Sequence, residues 1–243
     1  MQVEINTFIQ ENLKQLTNKT FSKKYISQYI TPIINNINTS KDKKFIIAGS
    51  QGAGKSTLAI LFKLALEKIY KKKVMLLSID DYYLSKKKRI KLSKEILPLL
   101  ITRGVPGTHD IVALKNDIIN FQQKKFPITT PTFNKLKDDV SIKKKIIKNA
   151  EILLLEGWCC GSTPIIKEYL FNNINRLEST LDKNRVWRQY YNSQLQKNYK
   201  KVFSLFDQQI YIQAPSFTHI LKWRYAQEKR NTLKSKNKKF MKK

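Results

Sequence analysis

No stretch of this 243-residue chain is both uncharged and apolar for the roughly 18 residues that a membrane helix needs. Its first residues, Met1 to Ile9, carry an acid and no basic segment leading into an apolar run. The sequence therefore predicts neither a transmembrane helix nor a signal peptide, and a cytoplasmic protein with no membrane partner. Cysteine is nearly absent. The two present, Cys159 and Cys160, are adjacent and poorly placed to bridge each other, which excludes a disulfide framework and metal-ligand spacing and leaves two buried thiols.

Acids are scarce as well: 18 Asp and Glu stand against 47 Lys and Arg, a net charge of +29. Taken alone, that charge points to nucleic acid or an anionic surface. Only seven of the 47 are arginine, however, and the lysines fall in short scattered runs such as 71–73, 86–88 and 143–145, as A/T-rich codon usage would give. The expectation is loose, salt-sensitive polyanion binding without a specific nucleic-acid partner. No obligate protein partner is predicted either.

The length and the 41% hydrophobic content suit one sizeable core. Residues 1–40 alternate short apolar patches (Phe8, Leu13, Leu16, Tyr25, Ile30) with polar residues and predict two short helices with no visible chemistry. Phe45–Ala48 then reads as a strand, Lys55–Tyr70 as a helix and Val74–Ile79 as a second strand ending at Asp80-Asp81. Helical patterns over Ser93–Ile101 and Asp110–Lys125, with Ser93 and Asp110 as N-caps, flank a turn-rich loop at 103–109. Ile152–Leu155 is the most apolar strand, running into Glu156. A polar helix over Asn184–Phe206, a strand over Gln209–Gln213 and a closing helix over Ser216–Thr232 complete the pattern. Strands alternating with helices predict a three-layer α/β/α fold on a mostly parallel sheet.

Gly49-Ser50-Gln51-Gly52-Ala53-Gly54-Lys55-Ser56 fits G-x-x-x-x-G-K-[ST] in full, between a predicted strand and a predicted helix. The glycines let the backbone N–H groups turn inward onto phosphate, and the helix N-terminus adds its positive end. This is a P-loop for ATP: Lys55 reaches the β- and γ-phosphates and Ser56 ligates Mg²⁺, with Thr57 closing the nucleotide-binding stretch. In a parallel sheet, ligands lie beyond the carboxyl ends of the strands, which puts Asp80 and Glu156 on the crevice of Lys55. Asp80 suits the base for an acceptor hydroxyl and Glu156 the metal side. The bland alternatives are a helix N-cap for Asp80 or Asp81 and a solvated acid for Glu156. Arg103, His109 and Asp110 in one loop, and Thr132, Phe133, Asn134 and Lys135 in another, are candidates to hold the acceptor. His109 is equally open to a packing or capping role. Arg185 and Arg188 are open either to a closing lid that reaches the transferring phosphate or to packing beside Trp187.

Taken together, Ser50–Leu58, Ser78–Leu84, Arg103–Asp110, Pro131–Lys135 with Asp138-Asp139, Leu155–Cys159, Gln213–Phe217, Trp223-Arg224 and Gln227-Glu228 resemble the D-glycerate 3-kinase family over about residues 45 to 230. That family is related to phosphoribulokinase, uridine kinase and bacterial pantothenate kinase. The resemblance implies that Asp80 is the acceptor-side catalytic carboxylate and Glu156 the metal-side acid. It also implies that Arg103, His109 and Lys135 line the acceptor pocket, with Asp81, Tyr83 and Asp110 beside them. The reaction so implied moves the γ-phosphoryl of ATP to the 3-hydroxyl of D-glycerate. This chain departs from the family where Asn134 replaces Asp and Val140 replaces Arg. Relatives usually continue through a further Met- and Tyr-containing helical segment, of which Phe240-Met241 resembles a remnant. The expected division is a helical extension at 1–40, a P-loop kinase domain at 41–233 and a basic tail at 234–243. Two other readings stay open: a related kinase for another small hydroxylated metabolite, and a non-catalytic ATP-binding protein.

Overall fold

The computed structural model describes residues 2–234. The chain begins with α1 (Gln2–Thr17), α2 (Lys23–Tyr25), a π-helical turn and α3 (Thr31–Thr39). Strand β1 (Lys44–Gly49), helix α4 (Lys55–Lys68) and strand β2 (Val74–Ser78) follow, then α5 (Lys86–Glu95) and α6 (Ile111–Gln122). Four very short strands come next: β3 (Ile128–Thr130), β4 (Phe133–Asn134), β5 (Asp139–Val140) and β6 (Lys145–Ile147). After β7 (Ile152–Gly157) come α7 (Arg176–Leu181), α8 (Val186–Gln194), a π-helical turn over Leu195–Tyr199, α9 (Lys200–Phe203), β8 (Gln208–Ile212) and α10 (Phe217–Lys234). The tail from 235 to 243, with the Phe240-Met241 pair, lies outside the described residues.

The central sheet is parallel throughout, in the order β2-β7-β1-β8. Strands β1, β2 and β7 read as apolar runs because helices cover both faces, whereas β8 at the sheet edge is polar at its start and only partly buried. On one face Phe45, Ile47, Val74, Ile152 and Leu154 pack against Ala59, Phe62 and Leu66 of α4 and Ile9, Ile34 and Ile37 of the N-terminal helices. The alternate residues Ile46, Ala48, Met75, Leu77, Leu153 and Leu155 face Leu114 and Ile118 of α6 with Tyr199 and Val202. The first 39 residues thus share a core with β1 and α4. Among the described residues, no helix is long and apolar enough to cross a membrane.

Two local expectations are corrected. The helix placed at Ser93 starts at Lys86: Ser85 caps it by accepting the Lys88 N–H, and Ser93 is buried inside it, donating to the Ile90 carbonyl. A Lys-rich start with no apolar face hid that first turn from periodicity. The polar helix expected over 184–206 is interrupted by the π-turn at 195–199, a form that short insertions take near functional positions.

Candidate active site

The P-loop is built by backbone conformation. Gly49, Gly52 and Gly54 all have positive φ, at 149°, 80° and 91°. Two of them are also crowded. A Cβ on Gly49 would lie 2.6 Å from the Ile212 carbonyl oxygen, and one on Gly52 would lie 2.8 Å from Cβ of Trp223, so the second turn of α10 rests on the loop. At Gly54 the same Cβ would meet nothing within 4 Å. That open side, at the N-terminus of α4, is where phosphate fits. Lys55 is 8% exposed and its Nζ donates to the Ser50 carbonyl at 2.8 Å, closing the loop into a cradle. The Ser50 hydroxyl is buried without a partner among the described residues. An open cradle, a buried lysine and an orphaned hydroxyl fit a nucleotide phosphate chain.

The carboxylates arrive through sheet register. Ser78 and Ile47 flank Glu156 in the ladders of β2 and β1 with β7, and the Ser78 hydroxyl donates to Glu156 Oε1 at 2.6 Å. Burial raises the Glu156 carboxyl, against the hydrogen bond from Ser78. Burial lowers the Lys55 ammonium, against the pull of Glu156 and Asp80. Asp80 sits on the turn after β2 and pairs with Lys135 Nζ at 2.6 Å. Burial pushes its carboxyl up, but the charge and hydrogen bond of Lys135 and a hydrogen bond from Tyr83 outweigh that, and the net effect is a lowered pKa. Asp80 is therefore ionised at neutral pH. Among the described residues no three His, Cys, Asp or Glu side chains gather as a metal cage. A divalent ion here would take few protein oxygens, Ser56 and Glu156, and the rest from phosphate and water, as Mg²⁺ does.

Of the acceptor-side candidates, Tyr83, His109 and Lys135 come together around Asp80. The Tyr83 ring stacks on His109 with centroids 4.4 Å apart, and its edge meets Phe133 at 5.3 Å. His109 is enclosed, and desolvation pushes its pKa down to about 4. Arg103 lies over the Phe133 ring and pairs with Asp138, which also holds the buried Arg89 at 3.0 Å. Arg103 thus fastens the β4–β5 hairpin while sharing the single Asp138 carboxylate with Arg89. Burial pushes the Cys159 thiol up to about 12, as expected of an inert buried cysteine.

Three candidates do other work. Asp81 accepts the Phe133 N–H at 3.1 Å and Lys145 Nζ at 2.8 Å, so it pins the small ribbons rather than an acceptor, and it caps no helix. Asp110 caps α6 by accepting the Ala113 N–H at 3.0 Å. Arg188 is no free lid arginine: it is 2% exposed and bonded to Asp182 at 3.0 Å and Glu178 at 3.2 Å, because the turn between α7 and α8 folds both acids onto it. Arg185 stacks over Phe171 at 4.6 Å. At the departure Asn134, the side-chain oxygen accepts the Leu136 and Lys137 N–H groups, a turn cap; Val140 is partly exposed beside it. Arg89 and Tyr199 escaped the sequence reading, and Ser78 entered it only as part of the Ser78–Leu84 motif, without its bond to Glu156. Arg89 was masked by its lysine run, and Tyr199 is joined to His109 across 90 residues, with no local signal.

No protein-family model matches the chain. It is 28% identical over 198 residues to the uncharacterized kinase mug58 of Schizosaccharomyces pombe, covering 75% of this chain and 68% of that one. It is 33% identical over 135 residues to the probable ATP-dependent kinase TDA10 of Saccharomyces cerevisiae, covering 49% of this chain and 46% of TDA10. Among solved structures, the YGR205w protein superposes with TM-score 0.65 at 25% identity over 90% of this chain and 78% of its own. The D-glycerate 3-kinase of Cryptococcus neoformans var. grubii superposes with TM-score 0.69 at 21% identity, over 98% and 82%, a likeness of fold. By sequence the chain is similar to proteins named as kinases, and its fold is that of the P-loop kinases. In this chain the phosphate cradle and the Asp80 cluster open on the same sheet edge, at the carboxyl ends of β1, β2 and β7.

Proposed function

We propose that this kinase transfers the γ-phosphoryl group of ATP to the 3-hydroxyl of D-glycerate, giving 3-phosphoglycerate and ADP. The observation that carries the reading is the Asp80–Lys135 pair at the mouth of the P-loop, an ionised carboxylate with a half-exposed cation 2.6 Å away. Lys135 supplies the charge that a small carboxylate substrate needs. Asp80 takes the hydroxyl proton as the new O–P bond forms and the bond to the β-phosphate oxygen breaks. Lys55 and the loop N–H groups hold the phosphates in line, so catalysis is positioning and electrostatic stabilisation. Mg²⁺, held by Ser56 and Glu156, would neutralise phosphate charge. The glycerate 3-kinase fold likeness supports the same acceptor.

A second reading, a bulkier hydroxylated acceptor, is favoured by one feature: a cavity of about 760 Å³ beside Val105 and Pro106, walled by Trp158, Trp187 and Tyr191. The test is ADP release with ATP and Mg²⁺, comparing D-glycerate with L-glycerate, uridine, pantothenate and no acceptor. Stimulation by D-glycerate alone is expected. Stimulation by pantothenate or uridine instead would move the substrate to the second reading, and no stimulation despite ATP binding would favour a non-catalytic protein.

A further inference from the structure

His109 is surrounded by groups that determine which of its nitrogens carries the proton. Tyr199, on the π-turn after α8, is fully buried. Its hydroxyl oxygen lies 2.9 Å from the Gly107 N–H and 2.6 Å from His109 Nδ1. The amide is a donor only, so the phenol oxygen accepts there. Its single proton then goes to the remaining neighbour, Nδ1, which must accept. A neutral imidazole that accepts at Nδ1 carries its hydrogen at Nε2. The opposite assignment would leave a buried phenol proton without an acceptor. The enclosure that keeps His109 uncharged removes the imidazolium from consideration.

The Nε2 atom is buried and has no partner among the described residues. It belongs to a ring stacked on Tyr83, and the charge acting on it is that of Asp80. An unpaired donor is thus retained on the acceptor side of the site, where burial makes it costly unless something bound there uses it. We infer that Tyr199 is a positioning residue: it holds His109 in the Nε2–H tautomer, so that this N–H donates to an oxygen of the bound acceptor. The inference rests on the proposed kinase reading for its ligand, and on Tyr199 and Gly107 alone for the tautomer.

The chain has only two histidines, His109 and His219, so a ¹⁵N-histidine NMR spectrum of the full chain resolves both, with His219→Asn making the assignment. Wild type is expected to show His109 with Nδ1 bare and Nε2 protonated at neutral pH. Tyr199→Phe, which keeps the ring that packs against Phe203, is expected to lose that fixed tautomer. It should also raise the KM for D-glycerate by about 3–10-fold, the worth of one neutral hydrogen bond, with the KM for ATP unchanged. Protonated Nδ1 in wild type, or an unaltered His109 spectrum in Tyr199→Phe, would overturn the inference even if D-glycerate is turned over. If wild type shows the Nε2–H tautomer and Tyr199→Phe loses it while D-glycerate is inert, the glycerate reading falls and the hold of Tyr199 on His109 stands.

Discussion

Replacing Asp80 with Asn removes one charge and almost no volume, and the structure separates its two consequences. For stability, the side chain is 28% exposed and its partner Lys135 is 62% exposed, so the lysine left behind is solvated. An ion pair this open contributes about 1 kcal/mol or less, which for a chain of this size lowers the melting temperature by about 2–4 °C at most. For chemistry, the Asn amide cannot take the hydroxyl proton. A positioned general base is worth about 10²–10⁴-fold in rate, or about 2.7–5.4 kcal/mol of barrier. The Asp80 carboxylate is bonded to Lys135 and not to the Lys55 ammonium, which donates to the Ser50 carbonyl, so ATP affinity should largely hold. The assay is steady-state ADP release under saturating D-glycerate, paired with ATP titration and a thermal melt. A kcat within about tenfold of wild type in a folded variant would refute Asp80 as the base, because it falls below the smallest effect a positioned base supplies. A melt lowered far beyond the surface-pair figure would show that the carboxylate is structural instead.

Lys135→Met leaves burial as the leading influence on Asp80, so its carboxyl rises; because the ionised form is needed, the acid limb of the rate profile moves to higher pH, and a profile that does not move contradicts the pairing. Glu156→Gln should tighten ATP binding in the absence of divalent ions while abolishing Mg²⁺-dependent turnover, read by nucleotide titration with and without EDTA. Gly52→Ala combines a positive φ with a Cβ 2.8 Å from Trp223, so α10 or the loop must shift; a loss of about 1–3 kcal/mol and weaker ATP binding are expected. Arg188→Met leaves Glu178 and Asp182 buried without their cation, at a cost of about 3–5 kcal/mol and a melting point lower by about 6–20 °C, and calorimetry reads it directly.

What the sequence shows clearly is what depends on contiguous residues. The P-loop is a single eight-residue pattern, and β1, β2 and β7 are apolar runs whose burial on both faces removes any need for alternation. Acids at strand ends are harder, because the same position serves catalysis and architecture. Asp80 and Asp81 are neighbours, yet one faces Lys135 and the other accepts a backbone N–H from residue 133, and only the path of the β4–β5 hairpin decides which. Arg188 failed as a lid residue for a related reason. The acids that neutralise it stand six and ten positions upstream, a spacing that means nothing until α7 and α8 fold back on each other. Tyr199 lies furthest from any local signal, since its significance rests wholly on a contact with the loop at 107–109.

The protonation tendencies around the P-loop say what the site is short of. Burial pushes the Lys55 ammonium and the Glu156 carboxyl towards their neutral forms, and among the described residues neither makes a close ion pair that would offset it. Each is therefore a buried charge in want of a counter-charge. A bare nucleotide triphosphate would satisfy Lys55 and the Ser50 hydroxyl but would set its negative charge against Glu156. A bare cation would satisfy Glu156 and oppose Lys55. Only the two together relieve both groups, which argues that the fold is poised for a metal–nucleotide complex as one ligand. Asp80, by contrast, already has Lys135, and its carboxyl is held down rather than up. The two acids at neighbouring strand ends are thus driven in opposite directions by their surroundings, the separation expected when one carboxylate serves a cation and the other a proton.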